Sequence, residues 1–381
     1  MAPASPATLT ARLREALPNA RDLHEAFPAI PPGRVIRCAN PSATRPEDVD
    51  FLLGELRVRD LIDLRAREEM AEDDPGSVLM GRAVIRNYAR GWLVPGQLFL
   101  KHDEPPQDPT PLSSYDPDPS ASTSTSTAAP SHAVSTLSTA AAALASEGDR
   151  PEPSHDSQPP LSSSQPSGEA SSRSGASRAP ARPVLIRHHV SLLERGRYYM
   201  CLAGRIPATT TVQALLTNFV SKPAARALLL PYVNGGGLQL MYEMLLDSAQ
   251  PEIRKVMEVL LDASEARHAV LFFCRAGKDR TGLVAAAVLA VAGASEEQIV
   301  ADYTRSDAFH RVALAGLEKR EELAGLDRAK FERAPPEAMR ATLEYVRRRY
   351  GSFSGYLTHI GFGPEKQRRL RELLLSSDPQ Q

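Results

Sequence analysis

One stretch near residue 270 constrains the fold of this chain more than any other. The run 268–273, His-Ala-Val-Leu-Phe-Phe, is apolar after its first residue and has the length of a buried strand. A loop that contains Gly277 follows, and then a run rich in Ala, Val and Leu that extends to Ala292. A strand, a loop and a helix in this order are typical of α/β proteins.

Similar patterns extend this prediction along the chain. Strands are expected at 59–65 and at 83–88. Helical apolar spacing marks the ranges 46–56, 212–230, 238–262, 295–305, 336–350 and 363–375. The range 231–237 holds a proline and three consecutive glycines, so it is expected to separate two helices. Together these patterns predict an α-rich α/β fold, with a central sheet flanked by helices.

The range 102–182 differs in composition from the rest of the chain. It contains an alternating Ser-Thr run and long mixtures of Ser, Pro, Ala and Gly. Such a segment buries too little apolar surface to offset its ordering entropy, so we expect a disordered insertion. About 300 residues remain, which suits one large domain. Because long insertions cost little closure entropy, 13–101 and 183–376 are expected to be two parts of that domain.

The charge balance excludes a global electrostatic attraction to nucleic acid or to an anionic membrane. The 381 residues carry 45 Lys and Arg against 46 Asp and Glu, a formal charge of -1. Any attraction for anions must therefore be local. The longest strongly apolar run, 283–292, is far shorter than the roughly 20 residues of a membrane span, so no integral membrane segment is expected.

The cysteine pattern indicates a reducing compartment. Cys38, Cys201 and Cys274 are few, unclustered and odd in number, which argues against a disulfide framework and a structural zinc site. We therefore expect a cytoplasmic protein. The range 1–12 lacks acidic residues and weakly resembles an organelle transit peptide, although Glu15 and Asp22 follow soon after.

The loop after the predicted strand at 268–273 has the residues of a phosphate site. Gly277 lets successive backbone N–H groups turn inward, and the start of the following helix adds positive potential. That potential, together with the charges of Arg275, Lys278 and Arg280, should favour the thiolate of Cys274. A thiolate beneath a bound phosphate is a nucleophile.

Two further residues of this loop have expected roles. The planar guanidinium of Arg280 can bind two phosphoryl oxygens at once, which a lysine could not do. Thr281 follows at the start of the helix. Its hydroxyl either donates to the thiolate or caps the helix, and the sequence leaves both alternatives open.

The segment 274–282, Cys-Arg-Ala-Gly-Lys-Asp-Arg-Thr-Gly, resembles the signature loop of the tyrosine-protein phosphatase superfamily. The similarity is to the branch of tyrosine/serine and lipid-like phosphatases of bacteria, fungi and plants. Further segments that resemble this branch are 19–23 (Asn-Ala-Arg-Asp-Leu), 35–37 (Val-Ile-Arg), 61–65 (Leu-Ile-Asp-Leu-Arg) with Glu68, 301–303 (Ala-Asp-Tyr) and 350–357 (Tyr-Gly-Ser-Phe-Ser-Gly-Tyr-Leu).

The resemblance implies the cysteine-phosphatase fold, with a mostly parallel sheet, and a two-step hydrolysis without metal or other cofactor. Cys274 would take the phosphoryl group, a carboxylic acid would protonate the leaving oxygen, and water would then hydrolyse the phosphocysteine. Asp279 and Asp63 are the two candidate acids, and an ion pair with Arg65 or Arg37 is the alternative role for Asp63. The expected substrate-binding residues are Arg275, Ala276, Gly277, Lys278, Thr281 and Gly282.

The sequence departs from the branch at two positions. Phe273 stands where the family has a histidine that is expected to brace the loop, so slower turnover is expected. Cys38 stands where the family usually has serine. We expect Cys38 to be a free buried thiol, and a regulatory disulfide with Cys274 is the alternative.

The substrate is predicted in order of preference. Protein phosphotyrosine comes first, with dual specificity as a variant. A phosphoinositide comes second, because Arg275 and Lys278 add cations to the loop. A phosphate-binding module of low activity, favoured by Phe273, and a rhodanese-type sulfurtransferase are the alternatives from other classes. The pair His188-His189 lacks further nearby ligands and is interpreted as a surface or packing pair.

Overall fold

A mixed sheet of six strands lies at the centre of the computed structural model, which describes residues 6–88, 184–308 and 325–376. The strands are β1 (Arg21–Asp22), β2 (Val35–Cys38), β3 (Val58–Asp63), β4 (Ala83–Asn87), β5 (Leu185–His189) and β6 (Ala269–Phe273). Their order across the sheet is β1-β2-β6-β3-β5-β4. Only the short β1 runs antiparallel to its neighbour, and all other pairs are parallel.

The helices cover both faces of this sheet. They are α1 (Pro6–Ala16), α2 (Pro46–Asp50), α3 (Val78–Gly81), α4 (Arg195–Ala203), α5 (Ala208–Asn218), α6 (Lys222–Ser248), α7 (Gln250–Glu265), α8 (Asp279–Ala292), α9 (Glu296–Thr304), α10 (Arg328–Phe331), α11 (Pro336–Tyr350), α12 (Phe353–His359) and α13 (Pro364–Leu375). A π-helical turn extends α2 over Phe51–Glu55, and 3-10 turns span Leu23–Glu25 and Arg67–Glu72. No described helix has both the length and the apolar character needed to cross a lipid bilayer.

Residue alternation along β6 divides the core into two clusters. Val270 and Phe272 pack with the helices that follow β5 in the chain, whereas Leu271 and Phe273 pack with α1, α2 and α3. Successive strand residues point to opposite faces, and all five residues of β6 are buried. The apolar run at 268–273 therefore forms the strand at the middle of the sheet, as the sequence predicted.

The strands before and after the predicted insertion pair with each other. β4 lies parallel to β5, with Ala83 opposite Leu185 and Asn87 opposite His189. The two flanks thus contribute to one sheet. The predicted disorder of 102–182 lies outside the described residues, and the boundaries 13–101 and 183–376 stay predictions.

The predicted fold class is confirmed, but the helices between 208 and 265 begin and end elsewhere than predicted. The expected break at 231–237 is confirmed at its last residue, because two helical segments of α6 meet in a kink at Gly237, which has φ 55° and ψ -148°. Pro231 itself lies inside the first of these segments. The predicted helix 212–230 is instead divided where Ser221 caps α6. The predicted helix 238–262 is divided at Ala249, after which α7 starts with a proline in its first turn.

Candidate active site

The loop 274–278 connects β6 to α8 at the carboxyl edge of the parallel strands. Cys274 follows the strand directly and is almost completely buried. Gly277 has φ 66°, a backbone conformation that favours glycine. A Cβ atom at Gly277 would lie 2.5 Å from the Cys38 carbonyl oxygen and 2.6 Å from the Ala39 nitrogen. The close approach of the loop to β2 therefore requires a glycine here.

Three successive carbonyl groups of the loop accept hydrogen bonds from the N-terminal part of the chain. The Asn40 backbone N–H donates to the Arg275 carbonyl at 3.1 Å. Asn19 Nδ2 donates to the Ala276 carbonyl and Arg37 Nη2 to the Gly277 carbonyl, both at 2.8 Å. In a planar trans peptide the N–H points away from the C=O. The N–H groups of residues 276–278 are thus directed away from these donors, as a phosphate cradle needs.

A buried charge cluster fixes these donors. Asp302 of α9 accepts a hydrogen bond from Arg37 and lies 3.3 Å from Arg21 Nε. Arg21 also donates to Asn19 Oδ1 at 3.1 Å, which orients the amide that binds the loop. Burial, followed by the charge of Arg37, lowers the pKa of Arg21 to about 9. One carboxylate therefore supports both loop-binding side chains.

Glu69 holds the loop arginine in a bidentate ion pair. Arg280 Nη1 and Nη2 donate to the two carboxylate oxygens of Glu69 at 2.5 and 2.8 Å. Burial opposes the guanidinium charge most strongly, but the hydrogen bonds and charge of Glu69 outweigh it and raise the pKa of Arg280. Because Arg280 is also close enough to Cys274 for their charges to interact, this pair fixes a cation beside the thiol.

Other predicted substrate-binding residues contact protein groups. Arg275 Nε lies 3.0 Å from a carboxylate oxygen of Glu72. The ammonium of Lys278 is buried and donates to the carbonyls of Phe331 and Arg333, at 2.5 and 2.8 Å. Its charge therefore lies against the segment that leads into α11.

Thr281 and Gly282 lie in the first turn of α8. The Thr281 hydroxyl is buried and has no hydrogen-bond partner among the described residues. Gly282 lies against the ring of Tyr303, where an added Cβ would be 3.2 Å from Cδ2. The Thr281 hydroxyl therefore makes neither of the two predicted hydrogen bonds, to the Cys274 sulfur or as a cap of the helix, among the described residues.

The two candidate acids have different surroundings. Asp63 is fully buried and accepts hydrogen bonds from Arg65 at 2.8 and 2.9 Å and from Arg187 at 2.5 Å. Burial would raise its pKa, but the hydrogen bonds and charges of these arginines outweigh burial and lower the pKa. A carboxylate held ionised in this way is a poor proton donor. The predicted ion pair with Arg65 is thus confirmed, and the alternative partner Arg37 binds Asp302 instead.

Asp279 lies at the first position of α8 and is partly exposed. Tyr242 Oη donates to its Oδ1 atom at 2.6 Å, and the Tyr242 and Tyr303 hydroxyl oxygens are 2.7 Å apart. The Lys278 ammonium lies 3.4 Å from the same carboxylate oxygen. Of the two candidate acids, Asp279 is therefore the one that is accessible to solvent and is also held in place by a hydrogen bond from Tyr242.

Phe273 and Cys38 lie on the face of the sheet opposite to Cys274. Both belong to the cluster formed with α1 and α2, and the Arg65 guanidinium lies 5.3 Å from the centre of the Phe273 ring. Cys38 and Cys274 are free thiols, as expected. Cys38 is close enough to Cys274 for their charges to interact, and the alternative of a regulatory disulfide stays a prediction. Burial raises the pKa of Cys38.

Several residues at this site were not predicted from the sequence to have a role. Glu68 was noted, but Glu69 makes the contact with Arg280. Asp302 and Tyr303 lie in a segment that resembles the family but has no predicted role, and the sequence gives no prediction for Tyr242. The signals in the sequence were the acidic pair Glu68-Glu69 and the tyrosines of α6 and α9, but only tertiary contacts show what these residues bind.

The histidine pair stabilises the sheet. His188 Nε2 lies 2.9 Å from Asp60 Oδ1 and its Nδ1 lies 2.9 Å from the Tyr88 hydroxyl. His189 Nε2 lies 3.0 Å from the Arg65 carbonyl. Both side chains are buried, which fits the predicted packing role and not the surface alternative.

Comparison with known proteins identifies the class that this loop and sheet define. The model of the tyrosine phosphatase family matches residues 14–147 and 210–376, which is most of the chain. The chain therefore belongs to the tyrosine phosphatase family.

Two curated relatives share part of the sequence. A tyrosine-protein phosphatase of Nostoc commune is 29% identical over 139 residues, covering 34% of this chain and 46% of that protein. The triple specificity protein phosphatase PtpB of Mycobacterium tuberculosis (strain ATCC 25618 / H37Rv) is 31% identical over 143 residues, covering 34% of this chain and 50% of that protein. The chain spans about half the length of the curated relatives it matches.

Proposed function

We propose that the protein is a cysteine-dependent phosphatase that hydrolyses phosphate monoesters through a phosphocysteine at Cys274. The observation that carries the proposal is the geometry of the loop 274–278. Three of its carbonyl groups accept hydrogen bonds from the N-terminal part of the chain, and Glu69 holds Arg280 beside the Cys274 thiol. Such a cradle supplies inward N–H groups and a bidentate cation for the phosphoryl oxygens.

The reaction has two steps. The Cys274 thiolate attacks phosphorus, a sulfur–phosphorus bond forms, and the ester oxygen leaves with the proton of Asp279. The Asp279 carboxylate then takes a proton from water, the resulting hydroxide attacks phosphorus, and the sulfur–phosphorus bond breaks. Inorganic phosphate and the thiolate are released, and no metal takes part in either step.

The loop of this protein is better suited to turnover than the missing histidine suggests. Asn19 and Arg37 bind the loop carbonyls, and the Arg37–Asp302 ion pair is completely buried. These contacts supply rigidity that Phe273 cannot supply. We therefore favour an active enzyme over a phosphate-binding module of low activity.

Protein phosphotyrosine is the substrate that we propose first. The phosphoinositide alternative rested on two additional cations, but Arg275 lies beside Glu72, and Lys278 donates to backbone carbonyls. Both cations thus already bind protein groups, which argues against their binding a second phosphate of the substrate. Because one relative is named a triple specificity protein phosphatase, phosphoserine peptides belong in the same test.

Hydrolysis of an aryl phosphate without added metal, across about pH 5 to 8, tests the proposal. We expect turnover by the wild type and at least a 10³-fold loss in Cys274→Ser, since the thiolate is the nucleophile. Phosphotyrosine peptides, phosphoserine peptides and short-chain phosphoinositides then rank the substrates. Binding of phosphate without turnover by the wild type would instead support the module of low activity.

A further inference from the structure

We propose that Tyr242, itself held by Tyr303, is a positioning residue that orients Asp279 for proton transfer to the leaving oxygen. The inference rests on the proposed phosphatase function. Three oxygen atoms form a continuous chain from the core to the loop, at 2.7 Å between the two hydroxyls and 2.6 Å from Tyr242 to Asp279.

The chain brings together three different helices. Tyr242 belongs to α6, Tyr303 to the last turn of α9 and Asp279 to the first turn of α8. The two rings meet edge to face, with centroids 6.0 Å apart and an interplanar angle of 88°. Their packing fixes the direction of each hydroxyl and therefore the position of the carboxylate that accepts from Tyr242.

Gly237 directs the second part of α6 into the core. Before it, Ala225 is the one described residue of the helix that is buried, whereas Leu238, Tyr242, Leu245 and Leu246 after it are all buried. The non-helical geometry at Gly237 thus turns the segment that carries Tyr242 towards the loop. Its buried ring reaches a carboxylate that is itself partly exposed.

The oxygen chain can serve both protonation states of Asp279. When the carboxylate is ionised, Tyr303 donates to Tyr242, and Tyr242 donates to Asp279. When Asp279 is protonated, it can donate to Tyr242, and Tyr242 can turn its own proton to Tyr303, because a hydroxyl is both donor and acceptor. The carboxyl group thus keeps its place while its proton goes to the ester oxygen and is later regained from water.

The two tyrosines remain protonated over the working range of the enzyme. Burial, and then the charge of Asp279, raises the pKa of both hydroxyls. Among the described residues, the other titratable groups that interact with this chain include Lys278, Arg280, Arg37 and Asp307. Proton donation by Tyr242 is therefore available wherever Asp279 is required.

Leaving-group dependence separates this role from a merely structural one. A proton donor matters for an ester with a poor leaving group, such as phenyl phosphate, and hardly for an activated ester, such as 2,4-dinitrophenyl phosphate. The quantity to compare is kcat/KM, which covers only the steps up to the loss of the leaving group. Phenylalanine keeps the ring and removes only the hydroxyl.

For Tyr242→Phe we expect kcat/KM to fall about tenfold with phenyl phosphate and less than about twofold with the activated ester. Tyr303→Phe should give a smaller change of the same selectivity. In an Asp279→Asn background, Tyr242→Phe should add no further selective loss, because the residue acts through Asp279.

Tyr356→Phe is the matched control. It also removes a buried tyrosine hydroxyl, which donates to the Leu246 carbonyl at 2.8 Å, and it should leave the ratio of the two esters unchanged. Equal losses with both esters in Tyr242→Phe, or no loss, would overturn the inference while leaving the phosphatase function intact. Absence of Cys274-dependent turnover in the wild type would overturn both.

Discussion

The Glu69 carboxylate binds both terminal nitrogens of Arg280, at 2.5 and 2.8 Å, from a 3-10 turn that is 211 positions away in the sequence. The neutral Glu69→Gln variant keeps the size of the side chain but loses the charge and one acceptor. We expect kcat on an aryl phosphate to fall by at least about tenfold. Without this ion pair the Arg280 guanidinium is not held in one orientation, so it binds the phosphoryl oxygens less well in the transition state.

Glu68→Gln provides the control for this experiment. Glu68 is exposed, lies one residue away in the same turn and undergoes the same chemical change. Its kcat should stay within about twofold of the wild type, since surface charges of this kind contribute little. Equal effects of the two substitutions would contradict an orienting role for Glu69.

Gly277 should tolerate no side chain. In Gly277→Ala the new Cβ would meet backbone atoms of β2 at 2.5 to 2.6 Å, and the positive φ is unfavourable for alanine as well. We expect activity to be lost and the free energy of unfolding to fall by at least about 1 kcal/mol, as measured by denaturant titration. Gly81→Ala, where nothing lies within 4 Å of the new atom, should change neither quantity.

Asp302 should matter for both stability and activity. Asp302→Asn removes the negative charge between two buried guanidiniums, those of Arg21 and Arg37. Breaking a buried ion pair from one side costs about 3 kcal/mol, which denaturant unfolding can measure. Because Arg37 also binds the Gly277 carbonyl, phosphate affinity should fall in the folded variant.

The exposed pair between Arg347 and Glu344, at 2.6 Å, provides a comparison for Asp302. Glu344→Gln should cost less than about 1 kcal/mol, because solvent screens this pair. A cost for Asp302→Asn as small as that for Glu344→Gln would contradict the bracing role.

Asp22 should give stability a pH dependence opposite to that of most carboxylates. Burial raises its pKa from 3.8 to about 6, although backbone N–H groups of Gly33 and His24 donate to it. A carboxyl with a raised pKa in the folded state contributes stability that is complete below its unfolded pKa and is lost as pH rises through about 6.

The comparison of wild type with Asp22→Asn isolates this effect. Between about pH 4 and 7 the free energy of unfolding of the wild type should fall relative to that of the variant by about 2 kcal/mol. Chemical denaturation at several pH values measures it. Parallel pH curves for the two proteins would show that Asp22 does not titrate in this range.

Local patterns predicted the elements that depend on local chemistry. The strand at 269–273, the loop glycine and the buried helix α8 each follow from a short apolar or glycine-bearing run. The break between two helices was predicted from the three consecutive glycines and is found at Gly237, whereas Pro231 lies inside the helix that precedes the kink.

Contacts between distant residues could not be predicted in this way. Asn19, which has φ 51° and is bound by Arg21, donates to a loop carbonyl 257 positions away in the sequence. Tyr242, which follows the kink at Gly237, donates to Asp279. No local pattern encodes such relationships. The burial that distinguishes Asp63 from Asp279 is likewise a property of the packed sheet.

Trapping of the covalent intermediate tests the central claim most directly. Asp279→Asn should still be phosphorylated rapidly by 2,4-dinitrophenyl phosphate but should lose the phosphoryl group slowly, since the base for water is missing. After acid quenching and proteolysis, mass spectrometry should find phosphate on the peptide that contains Cys274, and none in Cys274→Ser. If the wild type turns over but Asp279→Asn carries no phosphate on Cys274, or carries it on another residue, the account is contradicted.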